Sequence, residues 1–214
     1  DYRPAAGQVD PEVAAILALK HPGEKLAKLR SHAHPQAQFL WAIFRDLFHY
    51  CAVHLAAIAD SARDVDLALR WGFGWSTGPF ELWQAAGWQD VAGWVADDIA
   101  AGKALASVPL PAWVGAGPAA AGVHTPAGAY GAQDNAFHPR STLPVYRRQQ
   151  FPDPVLGEKA ATGTTIFETD AVRLWHLGDD VAILSFKSKQ HVIGDDVLDG
   201  VLRAVDEAER GWAG

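Results

Sequence analysis

The sequence contains no methionine, a single cysteine (Cys51) and no excess of positive charge. One thiol excludes an internal disulfide framework and points to a reducing, cytoplasmic setting. A net charge of -7 excludes electrostatic capture of nucleic acid or of an anionic membrane, because no basic surplus exists to displace counterions. Long hydrophobic runs are missing too. The most apolar stretch, Phe39 to Ala59, is interrupted by Arg45 and Asp46, so no membrane span is expected. The opening residues, DYRPAAGQVD, lack the charged-then-apolar order of a secretory signal. With Asp1 first, no methionine anywhere and a stop at Gly214 directly after a helix, the chain reads as a piece of a longer protein.

Apolar material is ample: 49% of the 214 residues are hydrophobic, enough for one large domain or two small ones. Asp10-Pro11-Glu12 starts a short helix that His21-Pro22-Gly23 ends, and a second short helix runs from Glu24 to Arg30. From Gln36 to Ala59 the steps of three and four between Leu40, Phe44, Leu47, Cys51, His54 and Ile58 predict a long helix. They also predict that this stripe is its buried face, with Arg45, Asp46 and His49 elsewhere on the surface. Asp64 to Arg70 forms the next helix, and Gly72-Phe73-Gly74 stops it. Gly78, Pro79 and Glu81 are then the N-cap, first residue and third-position acid of a helix carrying Phe80, Trp83 and Gln84, closed by Gly87. A last helix of this part, Gln89 to Ala101, presents Val91, Trp94, Val95 and Ile99 on one side, with Gly102 at its end.

Composition changes at Val108. Pro109 to Ala136 is rich in Pro, Gly and Ala, which predicts a linker or an extended wrapping arm. After Gly163 the period becomes two. Strands are expected at Thr164–Glu168, Ala171–Leu177 and Val181–Phe186, then a helix from Gly194-Asp195 with Leu198, Val201, Leu202 and Val205 inward. The tail is thus a small β-β-β-α unit with little core.

Chemistry concentrates between Asp60 and Gly87, where Gly72, Gly74 and Gly78 lie among Trp71, Trp75 and Trp83. The glycine spacing is one residue too long for a dinucleotide loop, and a helix precedes it where a strand is required. Gly72, Gly74, Gly78, Pro79, Phe80 and Glu81 therefore read as a structural corner between two helices. Among nine histidines, His32 and His34 precede a proline, while His49 and His54 lie on different faces of the long helix. His54 falls on the apolar stripe and reads as a hydrogen-bonded core residue, so no metal site is assigned. Cys51, on the same stripe, reads as a small buried hydrophobe rather than a nucleophile. Of the carboxylates Asp60, Asp64, Asp66 and Glu81, two or three are explained as caps or solvated faces. No catalytic residue emerges.

The run Asp64-Val-Asp-Leu-Ala-Leu-Arg-Trp-Gly-Phe-Gly-Trp-Ser-Thr-Gly-Pro-Phe-Glu-Leu-Trp resembles the C-terminal helical domain of 3-hydroxyacyl-CoA dehydrogenases. That family has an Asp-containing helix, Gly-x-Gly, then Gly-Pro-Phe-Glu-Leu, and the likeness extends from about Gln36 to Trp94. Gln84 stands where the family commonly has an acid, as in the second, degenerate copy of the domain in fused β-oxidation enzymes. Val181-Ala-Ile-Leu-Ser-Phe-Lys-Ser-Lys-Gln-His-Val-Ile-Gly is similar to the opening strand and loop of enoyl-CoA hydratases of the crotonase family. His191-Val192 replaces that family's usual Asn-Ala. The resemblance makes Lys187, Lys189 and His191 candidates for a substrate wall.

The fold expected is mainly α: a helical dehydrogenase C-terminal-like domain over 1–107, a Pro/Gly/Ala-rich linker over 108–162, and the start of a crotonase-like domain over 163–214. The resemblances imply the central part of a fatty-acid β-oxidation enzyme that oxidises 3-hydroxyacyl-CoA with NAD and hydrates enoyl-CoA. NAD would belong to the parent protein and no cofactor to this segment. Its partners would be the protein's own NAD-binding and hydratase domains, acyl-CoA in the parent, and a second copy in a homodimer. The alternatives are a protein-interaction module using the aromatic corner, and an acyl-CoA binding module.

Overall fold

Proline opens four of the first five helices, and each time it stands directly after the N-cap, where its missing N–H costs nothing. In the structure, a computed structural model, residues 7–141, 155–157 and 162–213 are described. The Asp1 start and the Gly214 end lie outside them. The chain divides into two compact units, 7–141 with 155–157 and 162–213 among the described residues. As expected, the fold is mainly helical, with two small three-stranded sheets.

The first unit comprises α1 (Pro11–Leu17), α2 (Pro22–Ser31), α3 (Pro35–Ile58), α4 (Ala62–Phe73) and α5 (Pro79–Ala100). Gly87, at φ 105°, divides α5 into two limbs at the position where the sequence predicts a break. The core gathers Leu26, Leu29, Trp41, Phe48, Leu55, Phe80, Trp83, Val91 and Val95 from α2, α3 and α5.

The face of α3 is a correction. Its buried residues are Ala37, Trp41, Arg45, Phe48, His49, Cys51, Ala52 and Leu55. Leu40, Phe44 and Leu47 are only half-buried, and His54 and Ile58 are exposed, so His54 is no core residue; it stacks on Tyr50 instead. Counting large aliphatics picked the wrong side because two buried polar residues hold the true one. The Trp41 Nε1–H donates to Asp98 at 2.7 Å, and the Arg45 guanidinium meets Asp98 at 3.3 Å and Asp46 at 2.9 Å. Burial pulls the Arg45 guanidinium down, but Asp46 and Asp98 outweigh it and hold its pKa above the ordinary value. Among the described residues no single helix is long and apolar enough to cross a membrane.

The linker reading of the stretch after Val108, one of two expectations beside an extended wrapping arm, is corrected over its described residues. Residues 108–141 pack on the helices as a 3₁₀ turn (Ala112–Val114) and a small antiparallel sheet, β1 (His124–Thr125), β2 (Gly128–Gly131) and β3 (Ala136–His138), in the order β1-β2-β3. Val114, Ala119, Val123 and Tyr130 enter the core. The backbone of this stretch is satisfied by side chains rather than by long ladders. His49 Nε2 lies 2.7 Å from the Val108 carbonyl, the Trp88 indole donates at 2.9 Å to Val114, and Gln89 donates to Ala120. Residues 142–154 and 158–161 of the expected linker lie outside the described residues.

The second unit is an antiparallel meander, β4 (Thr164–Glu168), β5 (Val172–His176) and β6 (Ala182–Phe186), followed by α6 (Asp195–Gly211), in the expected order. The face of α6 differs from expectation. Val197, Gly200 and Ala204 are buried, whereas Leu198, Leu202 and Val205 are 51%, 67% and 49% exposed. Small residues let the helix come close: a Cβ at Gly200 would collide with the Val172 side chain. A pattern of large apolar residues does not register such an approach.

Replacing Asp98 by alanine leaves Arg45 buried with half its partners and the Trp41 N–H without an acceptor. The expected loss is about 3 kcal/mol in urea unfolding. Asp98→Asn, which keeps the acceptor, should lose clearly less.

Candidate functional site

The corner between α4 and α5 is built from caps. The Ser61 N–H and hydroxyl donate to Asp64 at 2.9 and 2.8 Å, starting α4, and Gly74 ends it in the left-handed region at φ 69°. The Gly78 N–H donates to Glu81 Oε2 at 2.7 Å, and Arg70 of α4 reaches Glu81 Oε1 at 3.0 Å. One carboxylate therefore caps α5 and ties it back to α4. Gly74, Gly78, Pro79, Phe80 and Glu81, read in the sequence as a corner, stand at the end of α4 and the start of α5; Gly72 lies inside α4 rather than beyond its end.

Asp66 lies beneath the corner and is fully buried. It accepts from the Phe80 N–H at 2.8 Å, and its second oxygen lies 2.6 Å from His124 Nε2 on β1. Burial pushes its carboxyl up to about 6, against the pull of His124, with Glu81 adding to the rise. Of the four carboxylates singled out in the sequence, Asp64 and Glu81 are caps and Asp60 is exposed; Asp66 is neither a cap of its own helix nor solvated. A signal existed, because Asp66 lies four residues after Ala62 and three before Leu69, on the apolar side of α4. His124 carried none, being 58 residues away in a glycine-rich stretch.

Gln84 completes the joint. Its amide oxygen accepts from the Val123 and His124 N–H groups at 2.8 and 2.9 Å, and its NH₂ donates to the His124 carbonyl at 2.8 Å. An ionised acid at this position could accept but not donate. The departure at Gln84 thus has a local reason.

An Asp–His pair is acid–base chemistry in outline, yet both side chains here are enclosed and face one another. They position α4, α5 and β1 and offer no open side to a substrate. The residues do not fit a dinucleotide either. The α5 amides of Gly78 and Phe80, which would face a phosphate, are given to Glu81 and Asp66, and α4 stands where a strand is required. Cys51 is buried, and burial with the Asp66 carboxylate pushes its thiol up to about 12. His34 caps α3 through Nδ1, and His32 pairs with Glu12 at 3.0 Å. Among the described residues no group of three His, Cys, Asp or Glu converges as a metal site.

Lys187, Lys189 and His191 share the loop after β6. Lys187 is committed to Glu168 at 2.8 Å and to the Thr169 carbonyl at 2.7 Å. Lys189 and His191 are exposed on a 3₁₀ turn in which Gln190 and His191 have φ near 57° and 55°.

Two substitutions test the corner. A Cβ at Gly78 would collide with the Asp66 backbone, so Gly78→Ala must separate α4 from α5; a loss of about 3 kcal/mol in denaturant melts is expected. Asp66 has a folded pKa raised from 3.8 to about 6, so its contribution is fully present below pH ~4 and is lost as pH rises through ~6. Asp66→Asn removes that titration while keeping an acceptor for Phe80. Relative to the parent, the Asn variant should gain roughly 2–3 kcal/mol between pH 4 and 7 in urea midpoints, and a pH-independent difference would contradict the assignment.

No family model matches the chain, and no solved structure matches it. Over 191 residues it is 27% identical to a protein of Bacillus subtilis (strain 168) named "Probable 3-hydroxyacyl-CoA dehydrogenase". The match takes in 83% of this chain and 21% of that protein, so the chain spans about a fifth of the length of the curated relative it matches. The chain is thus a distant homologue of one segment of a protein that bears a 3-hydroxyacyl-CoA dehydrogenase name.

Proposed function

We propose that this chain is a non-catalytic segment of a fatty-acid β-oxidation protein that oxidises 3-hydroxyacyl-CoA with NAD and hydrates enoyl-CoA. Its role is to brace the domains that do the chemistry, namely an NAD-binding domain and a hydratase domain elsewhere in the parent protein. The observation that carries this reading is the corner itself. Asp66, Glu81, Arg70, His124 and Gln84, the polar groups able to meet a substrate, are all spent on one another or on backbone. Similarity to a dehydrogenase over most of the chain supports the choice of parent. NAD, acyl-CoA and a homodimeric partner belong to the parent in this reading.

A second reading is favoured by one feature. Trp71, Phe73 and Trp75 are 56%, 74% and 42% exposed at the corner, a surface suited to an interaction module. Assaying the 214-residue chain with NAD and 3-hydroxyacyl-CoA, and separately with enoyl-CoA, should give no turnover. The longer protein that carries it should form NADH from 3-hydroxyacyl-CoA. Turnover by the isolated chain would refute the bracing role, and an inactive longer protein would refute the dehydrogenase parent and leave the interaction module.

A further inference from the structure

A cavity of about 390 Å³ opens beside the corner, within the ~300–1,000 Å³ range of small-molecule sites. Its walls come from α2, α3, the α4–α5 loop and the first turn of α5. Phe44 and Leu47, on the stripe that the sequence places in the core, are half-buried because they face this space, as does Leu82 from α5. Trp75 forms the outer wall. None of the lining residues is acidic, and Lys25 is the one charged residue among them.

The state of Lys25 is what selects a ligand. It is half-buried, and among the described residues it forms no ion pair; the neighbouring Glu24 is taken by Lys28 at 2.8 Å. In a chain of net charge -7, an uncommitted ammonium on an apolar wall is an unmatched positive charge awaiting an anion. We propose that this cavity binds an unbranched aliphatic carboxylate, with the chain against Phe44, Leu47 and Leu82 and the head at Lys25. The site does not depend on the dehydrogenase reading, since it uses none of the corner's buried polar groups.

Calorimetric titration of the 214-residue chain with octanoate, decanoate and dodecanoate, each below its micelle concentration, tests the site. Kd should fall roughly fifteenfold per two-carbon step until the cavity is filled. Lys25→Glu should weaken decanoate at least tenfold and leave 1-decanol unchanged, while Leu47→Trp, which fills the space, should remove both. Because Leu47→Trp could disturb folding, a second readout uses a bromine-labelled decanoate. It should quench tryptophan emission in the parent chain and lose most of that quenching in Trp75→Phe, an exposed position. The proposal is overturned by any of four results: decanol binding as tightly as decanoate, decanoate affinity indifferent to Lys25→Glu, quenching unchanged in Trp75→Phe, or no binding at all. None of these outcomes bears on whether the longer protein oxidises 3-hydroxyacyl-CoA.

Discussion

A buried carboxylate holds the first unit together. Asp66 receives the Phe80 N–H that starts α5 and the His124 ring that anchors β1, so the consecutive helices α4 and α5 and the distant strand β1 meet at one side chain. Its burial is unfavourable in isolation, which is why its carboxyl titrates near 6 rather than in the usual carboxylate range. The arrangement persists because each neighbouring constraint depends on it. Gly78 has no side chain because Asp66 occupies the space, and Glu81 can cap Gly78 because Arg70, one turn along α4 from Asp66, neutralises it. A polar joint of this kind fixes one geometry where apolar packing alone tolerates several.

The glycine-rich stretch after Val108 obeys the same logic from the other side. It has too few large side chains to specify its own path, so its path is set by donors on α3 and α5. His49, Trp88, Gln89 and Gln84 meet its backbone in succession, Trp113 stacks on Trp88, and Tyr130 tilts against Trp113. The indoles of α5 are therefore packing anchors and hydrogen-bond donors together. At the buried Val114 carbonyl two of these donors converge, Trp88 at 2.9 Å and Gln89 at 3.3 Å, so that acceptor keeps a partner if one is lost.

Local signals were legible in the sequence, and distant ones were not. Caps at Asp10, Gly78 and Glu81, the stop at Gly74, the break at Gly87 and all three strands of the second unit follow from neighbours within a few residues. The buried faces of α3 and α6 do not, because each is chosen by residues that a hydrophobic count ignores. On α3 these are Arg45 and His49, which are buried through partners 53 and 59 residues away. On α6 they are Gly200 and Ala204, selected for their small size. The likeness to a dehydrogenase helical domain rested on the corner motif, and the 27% identity to a dehydrogenase-named protein is consistent with that choice. His124 was beyond reach, since nothing in its own stretch distinguishes it from a loop histidine.

The corner thus separates its two kinds of surface. Its polar groups point inward and are satisfied there, while Trp71, Phe73 and Trp75 point outward with Lys25 near the last of them. This inverts the usual order of a reaction site, where apolar walls are fixed and a few polar groups are left free to act. Recognition at such a surface comes from apolar contact trimmed by a single positive charge, and the rigidity of that surface is set by the carboxylate buried beneath it. Weakening Asp66 would therefore disturb the outer wall through the position of Gly78, a lining residue of the cavity that Asp66 itself does not line.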